Sequence, residues 1–171
     1  MRNKNIVLIG MPASGKSTVG VLLAKALGIG FLDTDLLIQQ QEKALLQEII
    51  DNKGVDYFLN AESKAVCTLQ AKNMVVATGG SVVLREEAMQ SLRKNGTVVF
   101  IDVPLSDIEK RLHNIKTRGV AAQKGKTIQD IYEERLPLYK KYAQITILSD
   151  QYSIEQTLCK LLDALKKANA I

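Results

Sequence analysis

Tryptophan is absent from this 171-residue chain, and histidine, cysteine and proline are scarce, at one, two and three residues. Each shortage excludes something. The two cysteines, Cys67 and Cys159, lie far apart and form neither a metal-ligand nor a redox spacing. They read as inert core on apolar helical positions. The lone His113 has no His or Cys pattern around it and reads as a solvated helix position. Aromatic residues make up only 5%, and the tyrosines are not interleaved with basic clusters, which argues against a base-stacking nucleic-acid surface. No apolar run approaches the ~18 residues that span a bilayer. The N-terminal Met1-Arg2-Asn3-Lys4-Asn5 leads into a short apolar run with no small-residue cleavage site, unlike a secretory signal. There is no low-complexity tract or Pro/Gly/Ser-rich linker, so no domain boundary is drawn within 1–171. What is present, 46% hydrophobic and 24% charged residues, is an ordinary globular balance. The net charge of +5 is then best matched to small anions. A cytoplasmic monomer with a small-molecule partner, and neither nucleic acid nor membrane, is expected.

Hydrophobic patterning predicts alternating strands and helices. Ile6-Val7-Leu8-Ile9 is a continuous apolar run, as in a strand buried on both faces of a parallel sheet. Val19, Leu22, Leu23, Ala26 and Leu27 form one helical face, and Gly28 is the expected stop. Further strands are expected at 30–33, 74–78, 97–101 and 145–148. Helices are expected at about 36–50, 56–71 and 86–94, another through Arg111, and a last one from Ser153, where Ser153 and Gln156 spell a capping box. The alternation gives an α/β layer fold with a mainly parallel sheet, in which ligands bind beyond the carboxyl ends of the strands.

Those strand ends carry the chemistry. Gly10-Met11-Pro12-Ala13-Ser14-Gly15-Lys16-Ser17, followed by Thr18, matches G-x-x-x-x-G-K-[ST] between a buried strand and an amphipathic helix. Its glycines let successive N–H groups curl around phosphate oxygens, and the helix start presents its positive end to the same anion. Lys16 supplies a cation for the outer phosphates, and Ser17 can place its hydroxyl on Mg²⁺. The motif implies ATP with Mg²⁺. Asp33-Thr34-Asp35 ends the second strand and reads either as a helix cap or as carboxylates serving Mg²⁺ and a general base. The third strand has no acid, which makes Asp33 the nearest candidate for the metal. Gly79-Gly80-Ser81 reads either as a turn or as a surface that a substrate approaches closely. The basic, glycine-containing stretch 114–126 reads as a loop or a phosphate-closing lid, with Arg118 as charge stabiliser.

Taken in order, these pieces resemble the shikimate kinase family. The resemblance runs from Ile6 through the phosphate loop, Phe31-Leu32-Asp33-Thr34-Asp35, Ala77-Thr78-Gly79-Gly80, Arg111 to Arg118, and Arg135-Leu136-Pro137-Leu138-Tyr139. It implies a three-layer P-loop fold like the nucleoside monophosphate kinases. The five-stranded parallel sheet would run 2-3-1-4-5, with a substrate-binding helical segment at about 34–62 and a lid at about 114–126. It implies transfer of the ATP γ-phosphate to a shikimate hydroxyl, in aromatic amino-acid biosynthesis. By the same resemblance Asp35 holds the accepting hydroxyl and acts as base, and Asp33 binds Mg²⁺. Gly79 and Gly80 line the acceptor pocket, Arg111 stacks on adenine, Arg118 touches the phosphates, and Arg135 clamps the acceptor carboxylate.

The chain departs from that pattern in four places. Leu59 stands where a second clamp arginine is usual, Ser81 replaces a third glycine, Gly119 replaces a lid proline, and Lys141 stands where Glu is common. Losing a charge-assisted clamp costs about 1.5–3 kcal/mol, or about tenfold to a hundredfold in affinity, unless Lys124 or Lys126 compensates. Two other readings stay open. One is a related kinase of another hydroxy acid, such as homoserine or gluconate. The other is a nucleotide-binding regulator without transferase activity.

Overall fold

The computed structural model describes residues 4–113, 120–122, 124–150 and 153–171, the side chain of His113 excepted. Five parallel strands form one sheet: β1 (Asn5–Ile9), β2 (Gly30–Asp33), β3 (Met74–Ala77), β4 (Gly96–Asp102) and β5 (Ile145–Leu148). Their order, β2-β3-β1-β4-β5, is the one the resemblance implied. β1 sits at the centre, pairing Leu8 with Ala77 on one side and with Val99 on the other. That position explains its unbroken apolar run: every residue of β1 is buried, whereas the edge strands β2 and β5 are partly exposed. Fully burying an Ile, Leu or Val side chain contributes about 1.5–3 kcal/mol, so the sheet centre is the main anchor of the fold.

Helix α1 (Lys16–Leu27) follows β1 and ends at Gly28 in the left-handed region, as expected. Between β2 and β3 lie three helices: α2 (Thr34–Glu42), α3 (Leu46–Lys53) and α4 (Val55–Cys67). The single helix expected at about 36–50 is therefore two. Lys43 adopts a left-handed φ of 53° and closes α2, and a Glu48 carboxylate accepts from the Leu45 N–H to start α3. These helices, with Ala121 from the segment before α7, hold a second, smaller apolar cluster, in which Ile38, Ile49, Phe58, Leu59, Ala65 and Ala121 are buried together.

After β3 come a 3₁₀ turn (Val82–Leu84), α5 (Glu86–Asn95), β4 and α6 (Leu105–His113). Helix α7 (Ile128–Tyr142) is not among the elements that the patterning predicts. Pro137 inside it hides the helical period, while Thr127 and Asp130 form the capping box that starts it. Helix α8 (Ile154–Lys167) begins at the expected Ser153–Gln156 box and buries Leu161 and Leu165, but Ile154 at its start is exposed.

The cysteine reading is corrected. Cys67 and Cys159 are both exposed free thiols, because each falls on the solvent side of its helix. Much of the expected lid, including Arg118 and Gly119, lies outside the described residues. Among those described, no helix is long and apolar enough to cross a membrane.

Candidate active site

The phosphate loop joins the sheet centre to α1. Gly15 caps the helix at φ 89°, a left-handed backbone that favours glycine. The Lys16 ammonium is buried, and it donates to Gly10 O at 2.9 Å, Met11 O at 2.8 Å and Ser14 Oγ at 3.3 Å. It therefore spans the mouth of its own loop, where an anion would draw it outward.

Asp33 is the helix cap that its sequence position allowed, and its carboxylate also reaches the start of α1. Its Oδ1 accepts from the Asp35 N–H at 2.9 Å and caps α2, while its Oδ2 accepts from Ser17 Oγ at 2.7 Å. The second bond ties the end of β2 to the start of α1. Hydroxyl and carboxylate together make an all-oxygen donor pair beside the phosphate loop. Such a pair fits Mg²⁺, which takes one or two protein oxygens and completes its shell with phosphate and water.

Three cavities surround the loop. The first, about 250 Å³, reaches from Lys16, Ser17 and Asp33 to Asp35 and Gly80. A second, about 390 Å³, lies between Ala13, Thr18, Arg111, Ser149, Ile154 and Thr157. Arg111 reaches it from α6 and donates to Ala13 O at 3.3 Å. Ser149 and Thr157, whose hydroxyls lie 2.9 Å apart, are lining residues that the sequence reading did not select. No motif marks them, since β5 and α8 meet the loop only in the folded chain.

The third space is small and lies behind Asp35, walled by Pro12, Phe58, Gly79, Ser81, Ala121 and Arg135. The Gly-Gly turn is packed closely against the protein's own side chains. A Cβ on Gly79 would collide with the Glu62 carboxyl and come within 2.7 Å of Asp35 Oδ1, and one on Gly80 would come within 2.6 Å of Pro12 Cδ. Gly79 N–H donates to Thr34 Oγ1 at 3.3 Å, and Gly80 O accepts from Tyr139 Oη at 2.5 Å. Tyr139 in turn stacks on Phe100, 5.1 Å between centroids, so the sheet core fixes the turn.

Arg135 is only 1% exposed. Its Nη2 donates to Ala121 O, and its Nε and Nη1 have no hydrogen-bond partner among the described residues. A buried guanidinium left partly unpaired is costly unless a ligand completes it. Glu62, also 1% exposed, went unselected in the sequence. Its Oε2 accepts from Ser81 Oγ at 2.7 Å, and its Oε1 has no partner among the described residues. Burial pushes its carboxyl up to about 8, reinforced by the Asp35 charge and only partly offset by the Ser81 hydrogen bond, Arg135 and Lys16. A signal was available: a glutamate among the buried positions Phe58, Leu59, Ser63 and Val66 of α4 breaks an otherwise non-ionic face.

Phosphate loop, paired aspartates and a polar pocket beyond the strand ends define a P-loop kinase of small molecules. The sequence model of the shikimate kinase family matches residues 12–166. The chain belongs to that family. It is 36% identical to the shikimate kinase of Sulfurihydrogenibium sp. over 165 residues, 96% of this chain and 99% of that protein. It superposes on the shikimate kinase from Acinetobacter baumannii in complex with shikimate with a TM-score of 0.89 at 30% identity, over 99% of this chain and 96% of that one. It is also 33% identical to threonine synthase-like 1 of Pongo abelii, over 96% of this chain and 23% of that longer protein.

Proposed function

We propose that this protein transfers the γ-phosphate of ATP to a hydroxyl of shikimate. One observation carries the reading: Asp35 lines both the cavity at the phosphate loop and the recess that holds Arg135, so phosphate donor and carboxylate clamp meet at one carboxylate. In this reading residues 10–18 cradle the triphosphate and Arg111 packs on the adenine in the cavity beside α8. Ser17 and Asp33 hold Mg²⁺, which when bound offsets charge on the phosphates. Asp35 orients the accepting hydroxyl and takes its proton, Gly79 and Gly80 let the acceptor approach, and Arg135 holds its carboxylate. Arg118, outside the described residues, is assigned to the transferring phosphate by resemblance. Residues 1–171 are read as one kinase domain, with its acceptor segment at about 34–62 and its lid at about 114–126. The protein is read as a cytoplasmic monomer acting on small molecules.

A second reading, another hydroxy acid as acceptor, is favoured by Leu59, which is buried and leaves Arg135 as the sole arginine of the recess among the described residues. Coupled turnover with ATP and a panel of shikimate, homoserine and gluconate decides between them. The expected result is the highest kcat/KM for shikimate. A hundredfold preference for another acceptor would overturn the shikimate reading and leave the kinase, and no turnover with any acceptor would favour the regulator.

A further inference from the structure

Two of the departures from the family pattern, Leu59 and Ser81, converge on one side chain. Leu59 and Glu62 are one helical turn apart on α4 and both are buried, so residue 59 is a natural source of a partner for the Glu62 carboxyl. A leucine provides none. Ser81 instead donates to Glu62 Oε2 at 2.7 Å from the opposite wall. Its backbone, at φ −94° and ψ −9°, is ordinary, so the serine is not there for the turn's sake. The hydroxyl acts on the carboxyl.

The alternative partner for Glu62 lies in the same recess. Arg135 and Glu62 attract each other across it, and two guanidinium nitrogens have no hydrogen-bond partner among the described residues. A carboxyl released from Ser81 would turn toward that guanidinium, because buried N–H donors with no partner gain most from a nearby oxygen acceptor, protonated or not. It would then occupy the position that an acceptor carboxylate needs.

We propose that Ser81 is a positioning residue: by holding Glu62 against Gly79 it keeps the carboxyl off Arg135, and so keeps the guanidinium open for the carboxylate of the acceptor. This rests on the reading of Arg135 as the acceptor clamp. It makes residues 59 and 81 a coupled pair, since an arginine at 59 would hold Glu62 from its own helix.

The test uses wild type, Ser81→Gly, Ser81→Ala, Ser81→Thr, Leu59→Arg and the Ser81→Gly/Leu59→Arg double variant. Steady-state kinetics and calorimetric binding are measured with shikimate, homoserine and gluconate. Ser81→Gly and Ser81→Ala should raise the acceptor KM and Kd about tenfold, with kcat and the KM for ATP within about twofold. Ser81→Thr, which keeps a hydroxyl, should stay near wild type. Leu59→Arg should recover affinity more in the Ser81→Gly background than in wild type. An unchanged acceptor KM in Ser81→Gly, a loss confined to kcat, an equal rise in the KM for ATP, or a threonine variant as weak as the glycine one would overturn the proposal. So would a wild type that binds none of the three carboxylates. Which acceptor is phosphorylated judges the shikimate reading separately, because the Ser81 effect is scored on whichever carboxylate is used.

Discussion

The two halves of the site are built differently. On the nucleotide side, one contiguous stretch between the central strand β1 and α1 supplies the loop, and the Lys16 ammonium donates to Gly10 O, Met11 O and Ser14 Oγ. On the acceptor side, α2, α3, α4, the turn after β3 and α7 all contribute residues to a small recess, and Glu62 and Arg135 have buried atoms with no hydrogen-bond partner among the described residues. The first half rests on the main core, the second on the small apolar cluster of α2–α4. The difference teaches where change is tolerated. In the proposed function, phosphate is recognised by backbone groups next to the sheet centre, and the acceptor by side chains on peripheral helices, where Leu59 stands in place of the family's usual arginine.

Substitutions can break this contrast at several points, the most damaging first. Asp35 stands where the halves meet, and Asp35→Asn should lower kcat by about 10²–10⁴-fold with little change in ATP binding, as read by turnover and nucleotide titration. Near-normal turnover would remove it from the chemistry. On the nucleotide side, Lys16→Ala should cost about 10²–10³-fold in kcat, whichever acceptor is used. An acceptor-dependent loss would mean that the two halves are not separable. On the acceptor side, Arg135→Ala should raise the shikimate KM about tenfold to a hundredfold and leave the KM for ATP unmoved.

A separate consequence is for stability. The Glu62 carboxyl is raised from its ordinary range to about 8, so the folded state holds a proton that the unfolded chain releases near pH 4.5. That contribution is complete below about pH 4.5 and is lost as the pH rises through about 8. Glu62→Gln should therefore flatten the fall in Tm between those values. A variant that keeps the wild-type slope would assign the pH dependence to other groups.

Much of this was legible in the sequence because the signals are local. The Ile6-Val7-Leu8-Ile9 run announces a central parallel strand, since only there are both faces buried, and Gly10 to Ser17 spells the tight loop between that strand and α1, since its backbone curl is encoded in adjacent residues. The order of the strands followed from the resemblance rather than from any pattern in the chain. Local pattern misjudged the break at Lys43, where a non-glycine residue takes a left-handed turn, the helix around Pro137, and the exposure of Cys67 and Cys159.

What only the tertiary structure decided is the pairing of distant side chains. Ser17 with Asp33, Tyr139 with the Gly80 carbonyl, and Glu62 with Ser81 join segments that the sequence separates by 16, 59 and 19 positions. Helical and strand periods say which face of an element is buried, but not which polar group meets which across the gap. In a recess too small to admit much water, that meeting determines whether a buried charge is satisfied or left waiting for a ligand.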